Sequence, residues 1–364
     1  MFKNKTKLLF RLVVSLGFAG ASLLGNVNAA DDPFKVGFVY VGPVDDHGWT
    51  YRHDVGRLSI EERFGDKVET TFVESVAEGA DAERVLRKLA SDGHDLIFTT
   101  SFGYMNATNK VAKAFPDVKF EHATGFKRAD NVSTYSGRFY EGRAVIGTMA
   151  GMMTKTNVIG YIASFPIPEV VRGINATAIA MRKINPDAEI KVVWVNTWYD
   201  PGTEADAAKA LIDQGADIIM QHTDSPAPLQ VAEERGVAGF GQASDMKAYA
   251  PKGQLQAIVD DWGPYYIART KAAMEGTWES TDTWSGIADG MVQFADYGPE
   301  VPDDVKDAAN LIREGIIIGD LHPFQGPIFD QSGKEIVAEG EIIDDGELLG
   351  MNYYVQGVSG SLPK

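Results

Sequence analysis

Short apolar runs alternate with amphipathic stretches along this chain, and that alternation predicts strands alternating with helices. Val36-Gly37-Phe38-Val39-Tyr40-Val41 is a continuous apolar run, the pattern of a strand covered on both faces. Residues 68–73, rich in β-branched side chains, predict a second strand. Ala82, Val85, Leu86 and Leu89 fall at i, i+3, i+4 and i+7, one face of a helix. Gly93 follows where a left-handed residue closes a helix, and Leu96-Ile97-Phe98 is the next buried strand. The same order returns later. Val192-Val193-Trp194-Val195 predicts a strand, and Thr203 with Asp206 a helix start with a capping box. Ala205, Ala208, Leu211 and Ile212 form the apolar stripe, Gly215 ends it, and Ile218-Ile219-Met220 is a strand.

The two passages echo one another in detail. Asp92-Gly93-His94-Asp95-Leu96-Ile97 parallels Gln214-Gly215-Ala216-Asp217-Ile218-Ile219. The expectation is an α/β protein of two similar Rossmann-like lobes, each a parallel sheet covered by helices on both faces. A helix over 141–153 carries the chain from one lobe to the other, and the stretch after Asp260 carries it back. The expected boundaries are 30–140 plus about 262–320 for lobe one and 141–261 for lobe two. Residues 321–364 form an extension packed on a lobe.

Ligands of open parallel sheets bind beyond the carboxyl ends of the strands, so the loops there carry the candidate chemistry. Three of the six tryptophans, Trp49, Trp198 and Trp262, stand just past predicted strand ends. Two indoles from opposite lobes can sandwich a planar ring, each contact contributing roughly 1–3 kcal/mol. Phe102 and His222 occupy equivalent loops. Asp245, Asp260 and Asp261, with Asn196 and Gln242, offer groups to read ring N–H, amine or hydroxyl groups. Trp262 also opens a helix before Gly263-Pro264 and suits packing as well as it suits a ligand.

Composition narrows the chemistry. The chain of 364 residues is 44% hydrophobic and contains no cysteine, which excludes disulfides, thiol catalysis and Cys-ligated metals. Lys3, Lys5, Lys7 and Arg11 precede a mostly apolar stretch over 12–24 and small residues at Val27-Asn28-Ala29, the pattern of a secretory signal peptide over 1–29. Removing that segment takes away four basic residues and no acidic one, so a net charge of −17 becomes −21. So acidic a protein is repelled by nucleic acid and anionic membranes. Export with neither a cysteine for lipidation nor a membrane anchor points to the periplasm. Motifs of hydrolases, P-loops and dinucleotide folds are absent. Asp45, Asp46, His47, His53 and Asp54 can be drawn as a metal cluster, but the histidine spacing fits no helical face well. Glu121-His122 ends a strand, and a hydrogen bond into the cleft suits His122 better than a base role.

Taken in order, a further set of motifs resembles the basic membrane protein family of ABC-transporter substrate-binding proteins, which includes purine nucleoside receptors. They are Lys35-Val36-Gly37-Phe38 with Gly48-Trp49, residues 98–103, Arg138-Phe139-Tyr140-Glu141-Gly142, Gly173-Ile174-Asn175, Asp206-Ala207-Ala208 and Gly241-Gln242-Ala243-Ser244-Asp245. The resemblance implies a type I periplasmic-binding fold with a hinged cleft. It further implies a purine base or nucleoside as ligand, no cofactor, a monomer, and an ABC permease in the inner membrane as partner. Trp49 and Trp198 stand where the family stacks aromatics, and Asp245 where it holds ribose. The lysine that often assists there is missing, with Asp260 and Asp261 nearby instead, which favours a free base such as adenine. Alternatives of other classes are a periplasmic enzyme acting on nucleosides and a receptor that feeds a sensor.

Overall fold

The computed structural model describes residues 32–363, so the signal segment expected over 1–29 lies outside the described residues. In chain order the first lobe supplies β1 (Phe34–Val39), α1 (Trp49–Phe64), β2 (Val68–Val73), α2 (Ala80–Ser91), β3 (Leu96–Thr99), α3 (Met105–Ala114), β4 (Lys119–Ala123) and β5 (Val132–Gly137). Next come α4 (Phe139–Met153), β6 (Val158–Ala163), α5 (Pro168–Ile184), β7 (Glu189–Trp194), α6 (Pro201–Asp213), β8 (Ile218–His222), α7 (Ala227–Arg235), β9 (Ala238–Gly241) and β10 (Gln254–Asp260). The remainder is α8 (Gly263–Met274), β11 (Asp282–Ser285), β12 (Val292–Phe294), α9 (Asp303–Ile317), β13 (Ile328–Phe329), β14 (Glu335–Val337), α10 (Asp345–Leu349) and β15 (Val358–Ser359).

The first sheet has the order β11-β5-β4-β3-β1-β2 and is parallel throughout. The second runs β12-β10-β9-β8-β6-β7-β15, parallel except where β12 meets β10. Both therefore contain one doubly wound order, second-first-third-fourth-fifth. β1 and β3 are buried along most of their length, and Phe38 stacks on Phe98 at 4.8 Å. The echoed Gly-x-Asp now has a cause. Gly93 and Gly215 close α2 and α6 at φ of 83° and 96°. Asp95 then accepts from Lys35 N at the foot of β1, and Asp217 from Lys155 N and Thr156 N at the foot of β6. Each aspartate pins the first strand of its own lobe.

Some boundaries differ from the expectation. Helix α6 is capped by Asp200, whose carboxylate accepts from Thr203 N at 3.0 Å, because Pro201 fits the first helical position and needs no donor there. The chain crosses between lobes three times, not twice. After β11 joins β5, the stretch 286–291 leads back to β12, which pairs with β10, and α9 packs on α4. Residues 282–285 thus join the first sheet, whereas 292–294 join the second and 303–317 pack on α4. No long apolar run marks the third crossing. The extension lies on lobe two: β15 extends β7, and Asn175 donates to Tyr353 O and accepts from Val355 N.

The crossings lie side by side, with Arg138 N donating to Ser285 O and Asp261 N to Met291 O. Helix α4 is buried along nearly its whole length against α5. Gly147 and Gly151 permit this, since a Cβ at either would press on the backbone of Thr177 or Met181. At the hinge, Arg138 lies 4.2 Å over the Trp284 ring and forks onto Asp345 of the extension at 2.8 and 2.6 Å. Arg172 lies over the same indole and donates to Leu348 O. Asp345→Asn weakens this partly exposed fork and should cost about 1 kcal/mol. A melting curve should show a drop in Tm of about 1–2 °C, and an unchanged Tm would leave the Arg138–Asp345 fork without a bracing role.

Candidate functional site

Each sheet reverses its winding between its first and third strands, and the helices there depart to opposite faces. The carboxyl ends at that point open a crevice. The two crevices face one another around a narrow cavity with about 20 Å³ of free space, room for about one water molecule. Lobe one lines it with Val41, Trp49, Ser101, Phe102 and Thr124; lobe two contributes Glu169, Trp198, His222, Asp224 and Gln242. The lobes are in contact around it. Ser244 Oγ donates to His47 O, and a Cβ on Gly48 would overlap the Asp224 carbonyl.

Trp49 is held from several sides. It opens α1, whose first turn is capped by Asp46 through Gly48 N (2.8 Å), Thr50 N (2.9 Å) and Tyr51 N (2.9 Å). Its own Nε1 donates to Thr100 O at 2.6 Å. The indole also meets His53, Trp262 and Phe139 at steep angles, 4.4–6.0 Å between ring centres. His53 stacks on Trp262 at 4.6 Å and reaches Tyr266 Oη at 2.5 Å, and Tyr266 continues to Tyr135. Burial keeps His53 neutral by pushing its pKa well down. Trp198 is held more lightly, by the Phe165 ring at 5.0 Å and by a bond from Asp224 N to its carbonyl.

The remaining wall is polar and acidic. Glu169 Oε1 lies 3.4 Å from His222 Nε2, which favours the ring proton on that nitrogen and leaves Nδ1 buried without a partner. Burial lowers the His222 pKa against the pull of Glu169, so the ring is neutral at pH 7. Asp224 Oδ2 is likewise buried and unpartnered. Burial, with Asp46, Glu204, Asp260 and Glu169 around it, raises the Asp224 pKa. Gln242 accepts from Arg143, which also donates to Gln221 O at 2.8 Å. No lysine or arginine lines the cavity.

Four of the seven expected site residues, Trp49, Phe102, Trp198 and His222, line this cavity. Asp260 lies fully buried at the end of β10, outside the lining, with both carboxylate oxygens unpartnered and its pKa raised by burial. Asp245 is a correction. It is exposed and accepts from Lys247 N and Gln254 Nε2, so it shapes its own turn. Asp261 is another: it approaches Gly263 N at the start of α8, accepts from Gln293, and lies 3.8 Å from Arg52. A loop carboxylate beside free backbone N–H groups is satisfied locally before it can reach a ligand. Trp262 is core, entirely buried. The residues that can be drawn as a metal cluster have other duties: Asp46 caps α1, His53 packs on Trp262 and Asp54 pairs with Arg57. His122 bonds Thr99 Oγ1 at 2.8 Å, and burial lowers its pKa to about 3.

Thr124, Glu169 and Asp224 were not anticipated. Glu169 had a signal in Pro168-Glu169, a helix start directly after a strand, and Asp224 in its place two residues beyond His222. Backbone strain marks the same face. His47, Ser75, Thr124, Asn196 and Ala243 all take positive φ, and all follow strand ends. Such conformations cost roughly 1–3 kcal/mol each and concentrate at ligand sites.

Two doubly wound lobes joined by three crossings, with a lined crevice between them, define a solute-binding protein of the type I periplasmic-binding fold. The chain belongs to the family of PnrA-like ABC transporter substrate-binding proteins, which it matches over residues 34–320. It is 57% identical over 342 residues to a purine-binding protein of Brucella abortus (strain 2308), covering 94% of this chain and 97% of that one. A putative ABC transporter glucose-binding protein of Haloferax volcanii is 37% identical over 96% of this chain and 88% of its own. In fold it resembles the crystal structure of an ABC transporter solute-binding protein from Aeropyrum pernix K1, with a TM-score of 0.71 at 19% identity, covering 80% of this chain and 93% of that one.

The cap of α1 yields a pH test. Burial pushes Asp46 from its ordinary 3.8 up to about 6, although three backbone N–H groups pull the other way. The folded protein therefore holds a proton that the unfolded chain releases between those values. That contribution is fully present below 3.8 and is lost as pH rises through about 6. Asp46→Asn should remove this slope. The variant's Tm relative to wild type should rise between pH 4 and pH 6 and then level off, whereas a gap independent of pH would contradict the assignment.

Proposed function

We propose that this protein captures a neutral purine base, adenine-like in its hydrogen-bonding edge, and delivers it in the closed form to an ABC permease. The observation that carries the proposal is the small cavity with Trp49 on one lobe and Trp198 on the other, walled by unpartnered His222 Nδ1 and Asp224 Oδ2. The indoles supply faces for a planar ring, and the polar wall supplies groups for its edge. A cavity bordered by Glu169 and Asp224, with no lysine or arginine in its lining, gives a phosphate no cation, so a base or nucleoside suits it better than a nucleotide. The purine-binding relative supports the same ligand class. The local duties of Asp245, which holds its own turn, favour a base over a nucleoside.

The working cycle is entry into an open cleft, closure about the three crossings and docking on the permease in the inner membrane. The basic and apolar pattern at the N-terminus supports export to the periplasm. Among the described residues no helix is long and apolar enough to cross a membrane. A second reading is a monosaccharide, since a tryptophan face beside carboxylates also suits sugar hydroxyls and one relative is named for glucose.

Calorimetry with adenine, guanine, hypoxanthine, guanosine, ribose and glucose separates these readings. Wild type should bind a purine base in a 1:1 ratio without turning over nucleosides. Trp49→Ala and Trp198→Ala should each weaken binding by roughly 5- to 150-fold, the equivalent of one lost stacking face. Unchanged purine affinity in both variants would remove the sandwich, and binding of glucose alone would replace the ligand class.

A further inference from the structure

We infer that Glu78, in the loop between β2 and α2, is a closed-state latch that also sets the orientation of Trp198. Its Oε1 accepts from three directions: Ser101 Oγ at 2.5 Å, Gly103 N at 3.1 Å and Trp198 Nε1 at 3.1 Å. The first two donors flank Phe102 on lobe one, and the third comes from lobe two. One carboxylate oxygen thus joins both aromatic walls of the cavity.

Indole has a single hydrogen-bond donor. For Trp198 that donor is engaged by the opposite lobe, so the bond exists only while the lobes are together. Trp49 differs, because its Nε1 bonds Thr100 within its own lobe and survives opening. The two cavity tryptophans therefore have different tasks. Trp49 is a standing platform, whereas Trp198 becomes fixed as the cleft shuts. A Cβ on Gly103 would strike the Glu78 carboxyl group, so the loop that carries Phe102 is shaped around this side chain. A charged acceptor makes the stronger bond to an N–H donor, which suits a contact at the cleft rim that competes with water.

The latch rests on taking this cavity as the ligand site, but its test does not depend on which ligand fills it. The chain contains no cysteine, so two can be introduced for spin labels without background. Arg84→Cys on α2 and Asp206→Cys on α6 place them on exposed positions of the two lobes. Interlobe distances are measured by pulsed electron paramagnetic resonance with no ligand and with saturating adenine or glucose. Glu78→Ala and Trp198→Phe should each deplete the short-distance population about fivefold or more, and the double variant should add little to either. Glu78→Gln, which keeps the acceptor oxygen, should retain most of it. Ser101→Ala, which removes a bond within lobe one only, should match wild type. Wherever a ligand binds, its dissociation rate should rise in parallel.

Additive effects, an unchanged distribution in Glu78→Ala, or a Ser101→Ala effect equal to that of Glu78→Ala would overturn the latch. So would a wild type that shows no short-distance population in any sample. If short distances are present but adenine alters neither them nor the heat of mixing, the purine proposal fails while the latch is judged on the variants.

Discussion

A parallel sheet wound in both directions leaves a gap where its winding reverses, and this protein contains that gap twice. The first-to-third strand junction cannot be covered by a crossover helix, because the helices on either side leave toward opposite faces. Each lobe alone would hold a shallow, half-solvated groove. The three crossings set one groove against the other, and α4, pressed onto α5 through Gly147 and Gly151, fixes where the second sheet starts. The residues that line the cavity consequently come in two sets, one from each lobe. Neither set encloses a cavity by itself.

The site combines over-determined and under-satisfied groups. Trp49 is tied by a capped helix start, an indole hydrogen bond and three aromatic neighbours, and behind it His53, Tyr266 and Tyr135 form a buried polar chain. At the cavity, by contrast, His222 and Asp224 keep polar atoms without protein partners. Leaving a buried polar group unpaired costs about 1–3 kcal/mol, and more for a charge. A well-supported aromatic floor beneath an unsatisfied polar wall is an arrangement that a ligand with matching groups completes. The positive-φ residues at the strand ends add to the same local cost, which the large cores of the two lobes carry.

Much of this was legible in the residues. Fully buried strands of a parallel sheet must be apolar, so β1, β3 and β8 showed themselves as short runs. The Gly-x-Asp echo exposed the duplication because both lobes need a helix stop and a strand pin at that junction. Trp49, Phe102, Trp198 and His222 reach the cavity by their place after strands, since topology alone sends those loops to the cleft. Asp245 and Asp261 fall outside the cavity lining because a carboxylate in a loop has backbone N–H groups within reach, and sequence cannot tell a turn-former from a ligand contact. Glu169 and Asp224 look in the sequence like any helix-start and loop acids. The third crossing and the extension were obscure for another reason. β12 and β15 are only three and two residues long, too short for periodicity to register, and tertiary pairing alone defines them.

The proposed sandwich places one planar base between indoles of opposite lobes. A crystal structure of the protein grown with adenine tests it most directly. The ring should lie between Trp49 and Trp198, with its edge toward His222 and Asp224 and the lobes closed. Adenine bound outside this cavity, or a sugar in the cavity with the indoles turned away, would contradict it.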